Sequence, residues 1–525
     1  MTGSVRTWWH RNSALWPVAL LALLFALPLA VVLTAPLHTP STQWDHIAQV
    51  FLPGHLASTL ALLAAVLLPA LVLAVPSAWL IARFDFPLRG FLRWALVLPL
   101  ALPTYISAYT YAGLLGPTGS ISVWLATHWN IRPDIMHLPG LGWVLAFVLF
   151  PYVYLPTRVA FATGMSHVLD AARTLGASPV RRFMRIALPL ARPAIVGGAV
   201  LVAMETLNDY GAVKYFGVRT LTTAIFRSWG GLYDPGGALR LSLVIIGLVA
   251  LLLYMERRSR RGLTTTAQVR GSRERLRGGR AWMATGWCLL VFMLGVALPL
   301  GKILGDAWTT LPEADHTRLW AAARNTLLLA VLSASVVLLV ALGFVFRQRV
   351  TRRTGALVRA AALGYAMPGA VIAIGVMALA AALDNWSGAR FSLIGGIWLM
   401  VYALAVRFLS VGWRPLQAGI RQQSASLDEA ARMLGASPWR TFTRVNLPLL
   451  RPTLLAAATL VAIDVVKELP LTLILRPFRL ETLGTLTYEL AGIEQLREAA
   501  LPAALIVLCG LLPVLLLEWL GERHG

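Results

Sequence analysis

Four acidic residues form two pairs that recur at the same spacing in the two halves of the chain. Glu205 and Asp209 are four positions apart, as are Asp464 and Glu468, and an offset of 259 residues superimposes one pair on the other. Carboxylates at i and i+4 lie on one face of a helix, so each pair is expected to present two negative charges together. Around a twofold-like axis, the four acids would form an acidic rim that attracts a cation. The alternative interpretation is helix-end solvation with a salt bridge to Lys467.

The rest of the sequence contains no recognisable catalytic arrangement. It has no HExxH or GxSxG motif, and Cys288 and Cys509 lie in apolar runs without the spacing of a metal site. The Gly301-Lys302 pair lacks the upstream glycine of a phosphate-binding loop, so no nucleotide site is expected on this chain. These observations disfavour a membrane-embedded enzyme, and metal ligands stay unassigned.

The elements that must position the acids are membrane helices. The 525 residues are 58% hydrophobic and 13% charged. Runs of about 20 apolar residues span a bilayer as helices, because a helix satisfies its own backbone hydrogen bonds. We therefore predict an all-α polytopic membrane protein with about twelve transmembrane helices. The expected ranges are 14–35, 56–82, 91–115, 141–163, 193–209, 239–255, 281–304, 321–346, 356–383, 391–412, 452–467 and 498–520.

The basic residues predict the orientation of these helices. The net charge is +23, and nine arginines lie between residues 256 and 280, whereas the loop 38–55 contains no Lys or Arg. Basic loops stay in the cytoplasm, so both termini are expected there. Nucleic-acid binding would also fit a basic chain, but no basic patch here is interleaved with aromatic residues. The lipid bilayer is the expected partner of this surface, and no nucleic acid is expected.

The positions of the spans predict two halves. Residues 1–255 form a first repeat of about six helices, 256–280 an arginine-rich cytoplasmic linker, and 281–525 a second repeat of about six helices. An even number of spans in each half makes the repeats parallel, related by an axis along the membrane normal.

A polar segment recurs between apolar runs in each half. Residues 170–193 read DAARTLGASPVRRFMRIALPLARP and residues 429–452 read EAARMLGASPWRTFTRVNLPLLRP, with sixteen of 24 positions identical. We call them the first and the second elbow, because each predicts a helix, a sharp turn and a second helix. The glycine of each suits a left-handed turn after a helix, and the following Ser-Pro suits an N-cap and first helical position. The later prolines are expected to end the second helix: Pro189, Pro193, Pro448 and Pro452.

The spacing within the elbows resembles the EAA loop of permeases from ATP-binding-cassette (ABC) importers. The resemblance implies a type I ABC importer permease fold in which each elbow is a coupling helix that docks on a separate cytoplasmic ATPase subunit. Two elbows imply two such subunits; ATP and Mg²⁺ would bind there, and this chain would bind no cofactor. Asp170 departs from the glutamate usual in the family. The matching residues are Asp170, Ala171, Ala172, Gly176, Ile186, Leu188 and Pro189, and Glu429, Ala430, Ala431, Gly435, Val445, Leu447 and Pro448.

The segments 209–229 and 464–483 resemble the fused permeases of ferric-iron ABC importers, and fused thiamine permeases share part of them. This resemblance implies a bacterial inner-membrane protein that receives Fe(III) from a periplasmic binding protein and moves it by alternating access. Thiamine, a polyamine or another small solute are alternatives. An ion-driven secondary transporter with parallel repeats is the alternative from a different class. Because Fe(III) favours oxygen ligands, the candidate translocation path consists of Glu205, Asp209, Asp464 and Glu468.

Overall fold

The computed structural model describes residues 15–163, 166–259, 273–351, 355–388 and 394–522. These ranges are almost entirely helical, which confirms the predicted all-α class. Among them, eight helices are long and apolar enough to span a membrane, and three bent helix pairs raise this number to eleven. The chain is therefore a multi-pass membrane protein. Most of the predicted linker, residues 260–272, lies outside the described ranges.

The first half contains fourteen of the described α-helices. Their bounds are α1 Leu15–Thr34, α2 Trp44–His46, α3 Leu52–Arg83, α4 Arg89–Ala95, α5 Thr104–Leu115, α6 Ser120–Trp129, α7 Leu138–Leu149, α8 Pro151–Ala162, α9 Ser166–Thr174, α10 Pro179–Arg182, α11 Leu188–Asn208, α12 Gly211–Tyr215, α13 Leu221–Phe226 and α14 Pro235–Ser259. Short 3₁₀ or π-helical turns extend several of these helices: Ala35–Leu37, Ile47–Phe51, Leu98–Ala101, Phe183–Ala187 and Arg227–Gly231.

The second half repeats this order from the end of the linker. Its helices are α15 Gly279–Phe292, α16 Leu298–Thr310, α17 His316–Thr351, α18 Ala356–Ala361, α19 Gly369–Ser387, α20 Ile397–Gln422, α21 Ala425–Met433, α22 Pro438–Thr441, α23 Leu447–Leu449, α24 Arg451–Lys467, α25 Pro470–Leu475, α26 Leu483–Gly492 and α27 Ala500–Glu522. Its 3₁₀ and π-helical turns are Met293–Ala297, Leu311–Glu313, Ala362–Ala366 and Phe442–Asn446. Two short strands, β1 Phe84–Asp85 and β2 Glu274–Arg275, pair in parallel.

Two of the predicted spans in the first half are broken. The chain bends by 98° between Arg89–Ala101 and Thr104–Trp129, and by 47° between α7 and α8. Leu102 is extended (φ −85°, ψ 120°) directly before Pro103, and α8 begins with Pro151. Proline disfavours helical conformation in the residue before it, which accounts for the extended Leu102. Phe150 before Pro151 stays helical (φ −55°, ψ −29°), and there the missing proline N–H weakens the helix and allows the smaller bend.

The two halves interlock through their N-terminal spans, which are α1 in the first half and α15 with α16 in the second. α1 packs against α18 and α19 of the second half, whereas α16 packs against α5 of the first half as well as α27. Two hydrogen bonds also connect the halves: the Tyr402 hydroxyl of α20 donates to the Leu24 carbonyl oxygen of α1 at 2.7 Å, and Trp287 Nε1 of α15 donates to Ser77 Oγ of α3 at 3.1 Å. Both hydrophobic cores accordingly contain residues from each half. The halves therefore form one body.

Matching local contacts confirm the internal repeat. Thr220 and Thr482 each form a capping box at the start of α13 and α26. The next backbone N–H of each helix donates to a threonine of the long preceding helix: Leu221 to Thr59 Oγ1 at 3.0 Å, and Leu483 to Thr326 Oγ1 at 2.8 Å. These bonds hold α13 against α3 and α26 against α17, next to the segments that carry the four acids.

Candidate functional site

Each elbow has the turn that its glycine predicts. Gly176 and Gly435 have φ values of +78° and +77°, a region that glycine adopts without steric strain. In the first elbow the Ala177 N–H donates to the Ala172 carbonyl oxygen at 2.9 Å; in the second, the Ala436 N–H donates to that of Ala431 at 3.0 Å. These bonds satisfy carbonyl groups at the helix end and fix the direction in which the chain leaves it.

The second arm of each elbow begins at the predicted serine cap. Ser178 Oγ accepts a hydrogen bond from the Arg181 N–H at 3.4 Å, and Ser437 Oγ accepts one from the Arg440 N–H at 3.3 Å. Proline follows each serine at the first helical position, where its missing N–H costs nothing. Both elbows thus have the same turn and the same serine cap, and these follow from local sequence.

The prediction that prolines end the second arm is wrong for the first elbow. A π-helical turn, Phe183–Ala187, joins α10 to α11, and Pro193 lies inside α11. Pro189 lies in the first turn of α11, where proline is tolerated. In the second elbow the chain does break, at Leu450, with a bend of 73° between the flanking helices. Similar sequences therefore give a continuous arm in one half and a bent arm in the other.

Aromatic side chains anchor both elbows to the helix bundle. Phe183 contacts Trp79 of α3, with ring centroids 5.2 Å apart. Phe442, at the matching position of the second elbow, contacts Phe346 of α17, also at 5.2 Å. The second arm of each elbow therefore rests on the long helix of its own half, which leaves the turn to project.

Apolar side chains at the projecting turns are exposed. Leu175 and Leu434, directly before the two glycines, are 87% and 88% exposed, and Val180 and Trp439 on the following arms are 70% and 62% exposed. Large apolar side chains clustered at a surface mark sites where another protein or the membrane binds. Sequence matching to the EAA spacing did not single out these four residues, although they flank its glycine.

The structure places the EAA-matching residues in both elbows. Ala431 is buried and Ala172 is half-buried, so these alanines face the bundle, whereas Ala171, Ala430 and Glu429 are exposed. Near the ends of the elbows, Leu188, Leu447 and Pro448 are half-buried and Pro189 is exposed. The side chain of Asp170 lies outside the described residues.

Contrary to the prediction, the two acids of each pair do not lie on one face of a continuous helix. α11 ends at Asn208 and α24 ends at Lys467, and the next residues, Asp209 (ψ 129°) and Glu468 (ψ 118°), are extended. Gly211 and Pro470 then begin α12 and α25 at matching positions, so a new helix starts where the sequence pattern suggested continuation. Asp209 and Glu468 are only 5% and 7% exposed, so they do not form an exposed rim.

All four acids instead line one central cavity of about 260 Å³ between the halves. Three hydrogen bonds cross between the halves at its wall: Lys467 Nζ to the Leu100 carbonyl oxygen at 2.7 Å, the Gly369 N–H to Asn208 Oδ1 at 2.8 Å, and the Tyr365 hydroxyl to Glu205 Oε1 at 3.4 Å. The structure therefore brings together the two acidic pairs that lie far apart in sequence.

Asp209 and Glu468 each stabilise the short helix that follows them. Asp209 Oδ1 accepts hydrogen bonds from the backbone N–H groups of Ala212 at 2.9 Å and Val213 at 3.2 Å, and its other oxygen accepts one from the Thr104 hydroxyl. Glu468 Oε1 accepts one from the Leu471 N–H at 3.0 Å. Carboxylates satisfy and electrostatically favour a helix N-terminus. Glu205 and Asp464, half-buried at the cavity, are not used in this way.

Arg407 is a cavity residue that sequence analysis missed. Its Nε lies 2.9 Å from Glu468 Oε2, and the side chains of the pair are 6% and 4% exposed. Its Nη1 donates to the Met367 carbonyl oxygen at 3.0 Å. In the sequence, Arg407 is the single charged residue of the predicted span 391–412. A charge within a membrane helix needs a partner, so this position could have indicated a buried ion pair.

The cavity is charged but is not a metal-binding cluster. Four carboxylates and two basic side chains, Arg407 and Lys467, line it. Among the residues that the structure describes, no three His, Cys, Asp or Glu side chains are grouped so that they could hold a metal ion together.

Comparison with known protein families gives two matches along the chain. The family model described as "Binding-protein-dependent transport system inner membrane component" matches residues 70–261 and 339–524. Each match contains one elbow and one acidic pair.

Individual relatives differ in how much of the chain they cover. A Fe(3+)-transport system permease protein of Haemophilus influenzae is 26% identical over 479 residues, which cover 88% of this chain and 89% of that protein. A molybdenum transport system permease protein of Azotobacter vinelandii is 31% identical over 202 residues, 37% of this chain and 89% of that protein. A probable sulfate transport system permease protein of Nephroselmis olivacea is 28% identical over 201 residues, 38% of this chain and 70% of that protein.

Proposed function

Because the chain belongs to the family of binding-protein-dependent transport system inner membrane components and contains its unit twice, we propose that it is the whole membrane pathway of an ABC importer for Fe(III). In this proposal two cytoplasmic ATPase subunits dock on the two elbows, a periplasmic binding protein delivers the substrate, and the central cavity is the translocation path. ATP and Mg²⁺ act on the ATPase subunits, and this chain supplies no cofactor site.

The observation that carries the proposal is the pair of elbows, which share one turn and cap geometry. Each projects an exposed leucine from a glycine turn and is anchored to its own long helix by a phenylalanine. Two copies of one ATPase subunit would meet equivalent surfaces, as a twofold-related pair requires. A docked elbow could transmit movement to the bundle because its second arm leads directly into a cavity-lining helix, α11 or α24.

The charges of the cavity favour a cation as the substrate. Its four carboxylates outnumber Arg407 and Lys467, so the local field attracts positive charge and opposes an oxyanion such as sulfate or molybdate. Carboxylate oxygens also suit a hard cation. The Fe(3+)-transport permease matches 88% of this chain, whereas the sulfate and molybdenum permeases match 38% and 37% of it. This difference supports Fe(III) as the substrate over sulfate and molybdate.

Thiamine and polyamines are the remaining cationic alternatives, since they would meet the same field. Membership of a binding-protein-dependent family counts against the ion-driven secondary transporter. We place the elbows, both termini and the arginine-rich linker on the cytoplasmic side of a bacterial inner membrane, following the asymmetry of basic loops.

Reconstitution tests the function directly. The chain is co-expressed with its ATPase subunit, incorporated into vesicles and supplied with the cognate binding protein. We expect ATP-dependent uptake of radiolabelled Fe(III) that competes with neither thiamine nor spermidine nor molybdate. Iron uptake without ATP, or ATP-dependent uptake of one of those competitors in place of iron, would contradict the proposal.

Charge reversal at Glu429 is expected to weaken ATPase docking on the second elbow. Glu429 is exposed on α21, so Glu429→Lys changes the docking surface without disturbing a described contact. We expect about tenfold lower ATP-driven uptake and faster dissociation of the ATPase subunit, because a charge at an interface acts on partner recognition. Glu429→Gln should give an intermediate effect. The measurement is the amount of ATPase subunit that co-purifies with each variant, and equal recovery for all three proteins would exclude a role for this charge.

Neutralising the two half-buried acids of the cavity is expected to impair transport. Glu205 and Asp464 line the path and do not cap a helix, so Glu205→Gln with Asp464→Asn should lower Fe(III) uptake by about tenfold or more without loss of folded protein. Exposed Glu313, changed to Gln, is the matched control. The readout is the initial rate of uptake together with ATPase stimulation by loaded binding protein. Wild-type uptake in the double variant would remove these two acids from the path.

A further inference from the structure

The end of the linker is attached to the first half of the protein. Strand β2 (Glu274–Arg275) pairs in parallel with β1 (Phe84–Asp85), which directly follows α3, and the Leu276 N–H donates to the Asp85 carbonyl oxygen at 3.0 Å. Gly278, with φ +60°, then turns the chain into α15. This part of the linker therefore has a fixed position beside the first elbow.

Glu274 joins the two arms of the first elbow. One oxygen of its carboxylate lies 2.9 Å from Arg182 Nη1 and 3.4 Å from Arg173 Nη1. Arg173 belongs to α9, before the glycine turn, and Arg182 ends α10, after it. The side chain of Arg182 is 10% exposed and that of Glu274 is 27% exposed, so solvent screens this pair less than an ordinary surface ion pair.

The second elbow has a comparable anchor that comes from its own half. Asp428, directly before this elbow, lies 2.6 Å from Arg349 Nε at the end of α17 and accepts a hydrogen bond from Asn446 Nδ2 at 3.1 Å. Asn446 Nδ2 also donates to Gln423 Oε1 at 3.0 Å. An acid–arginine pair thus holds the second elbow against its long helix.

The first elbow lacks the residues of that anchor. At the offset of 259, Leu169 takes the place of Asp428 and Ala187 takes the place of Asn446, and both are fully buried. Conversely, Arg182 takes the place of Thr441, so the nearer of the two arginines that Glu274 contacts occurs only in the first elbow, whereas Arg173 matches Arg432. The polar anchor has a different origin in each half.

We infer that Glu274 is a positioning residue for coupling: the linker supplies the acid that holds the first elbow in its docking geometry, as Asp428 does for the second. This inference rests on the proposed function, in which the elbows dock ATPase subunits. The linker consequently does more than connect two repeats. Loss of the Glu274 contact loosens one docking site and leaves the other intact.

Hydrogen exchange tests the contact on the intact permease. We expect Glu274→Arg, which places like charges together, to speed amide exchange of residues 171–182 by about threefold to tenfold, with no change in residues 430–441. Arg182→Glu should have the same effect, and the double reversal should restore slow exchange. Arg275→Glu is the matched control, since Arg275 is exposed in the same strand. Unchanged exchange in Glu274→Arg, or no rescue in the double variant, overturns the inference.

Transport coupling is then measured with the same proteins in vesicles. Glu274→Arg should raise the ATP hydrolysed per substrate imported by about threefold, and the double reversal should lower it again. Faster exchange with normal coupling would overturn the positioning role. If Glu274→Arg reduces the yield of folded protein, Glu274→Gln replaces it under the same criteria. If Leu175→Asp and Leu434→Asp at the two turns left ATPase binding unchanged, the proposed function would be refuted. The hydrogen-exchange result does not depend on ATPase binding.

Discussion

Replacing Arg407 by Leu is expected to destabilise the protein by about 3–5 kcal/mol, because it leaves Glu468 buried without its cationic partner. The ion pair lies at 2.9 Å, and both side chains are almost completely excluded from solvent. Gly369 leaves room for the pair, since a Cβ at that position would collide with Glu468 Oε1 and lie 3.0 Å from Arg407 Nη1.

A second substitution separates the missing partner from the missing arginine. Glu468→Gln removes the charge but keeps an oxygen that can accept from the Leu471 N–H, so Arg407→Leu with Glu468→Gln should recover most of the lost stability. Each variant is heated in detergent, and size-exclusion chromatography measures how much monodisperse protein remains at each temperature. If Arg407→Leu melts like the unmodified protein, the buried pair contributes nothing to folding.

In the first half, the buried acid is held by hydrogen bonds in place of an ion pair. Because the partners differ in this way, the matching of the two halves found the acids but not their partners. Asp209 corresponds to Glu468, yet its partners are the Thr104 hydroxyl and two backbone N–H groups. Arg407 corresponds to Val148 at the same offset. The register therefore predicts which acids share a cavity, but each acid's partner comes from another helix and differs between the halves.

Local chemistry predicted the elbows well because their geometry depends on neighbouring residues. The positive φ of Gly176 and the cap at Ser178 follow from residue type alone. The same reasoning failed for the helical face of the acids, although Pro470 two residues after Glu468 was a signal that a helix could not continue.

The packing of α1 against helices of the second half could not be predicted from sequence. α1 is apolar around its whole circumference, so no face indicates which neighbour it contacts. Its packing on α18 and α19, and the hydrogen bond that Leu24 accepts from Tyr402 of α20, are tertiary contacts. Likewise, the linker's composition indicated a polar connection, whereas the role of Glu274 depends on residues about 90 to 100 positions earlier in the chain.

The exposed leucines at the elbow turns predict the largest effect on coupling. Leu175 and Leu434 are 87% and 88% exposed, so Leu175→Asp and Leu434→Asp should leave the permease as stable as before. At a docking interface, however, each aspartate would bring a charge into an apolar contact. We expect each single variant to reduce ATP-driven uptake by about 30-fold, and the double variant to abolish it, since a central apolar anchor contributes about 2 kcal/mol or more.

The stoichiometry of the purified complex distinguishes docking from a general loss of activity. Each single variant should retain one ATPase subunit more firmly than the other, and the double variant should retain neither. Leu175→Met and Leu434→Met are the matched controls, because methionine keeps an apolar side chain of similar size. Unequal effects of the two single variants would still fit docking, because the arms differ: the first continues into α11, whereas the second bends by 73°. Undiminished recovery of both ATPase subunits with the double aspartate variant would mean that the elbows are not the docking sites.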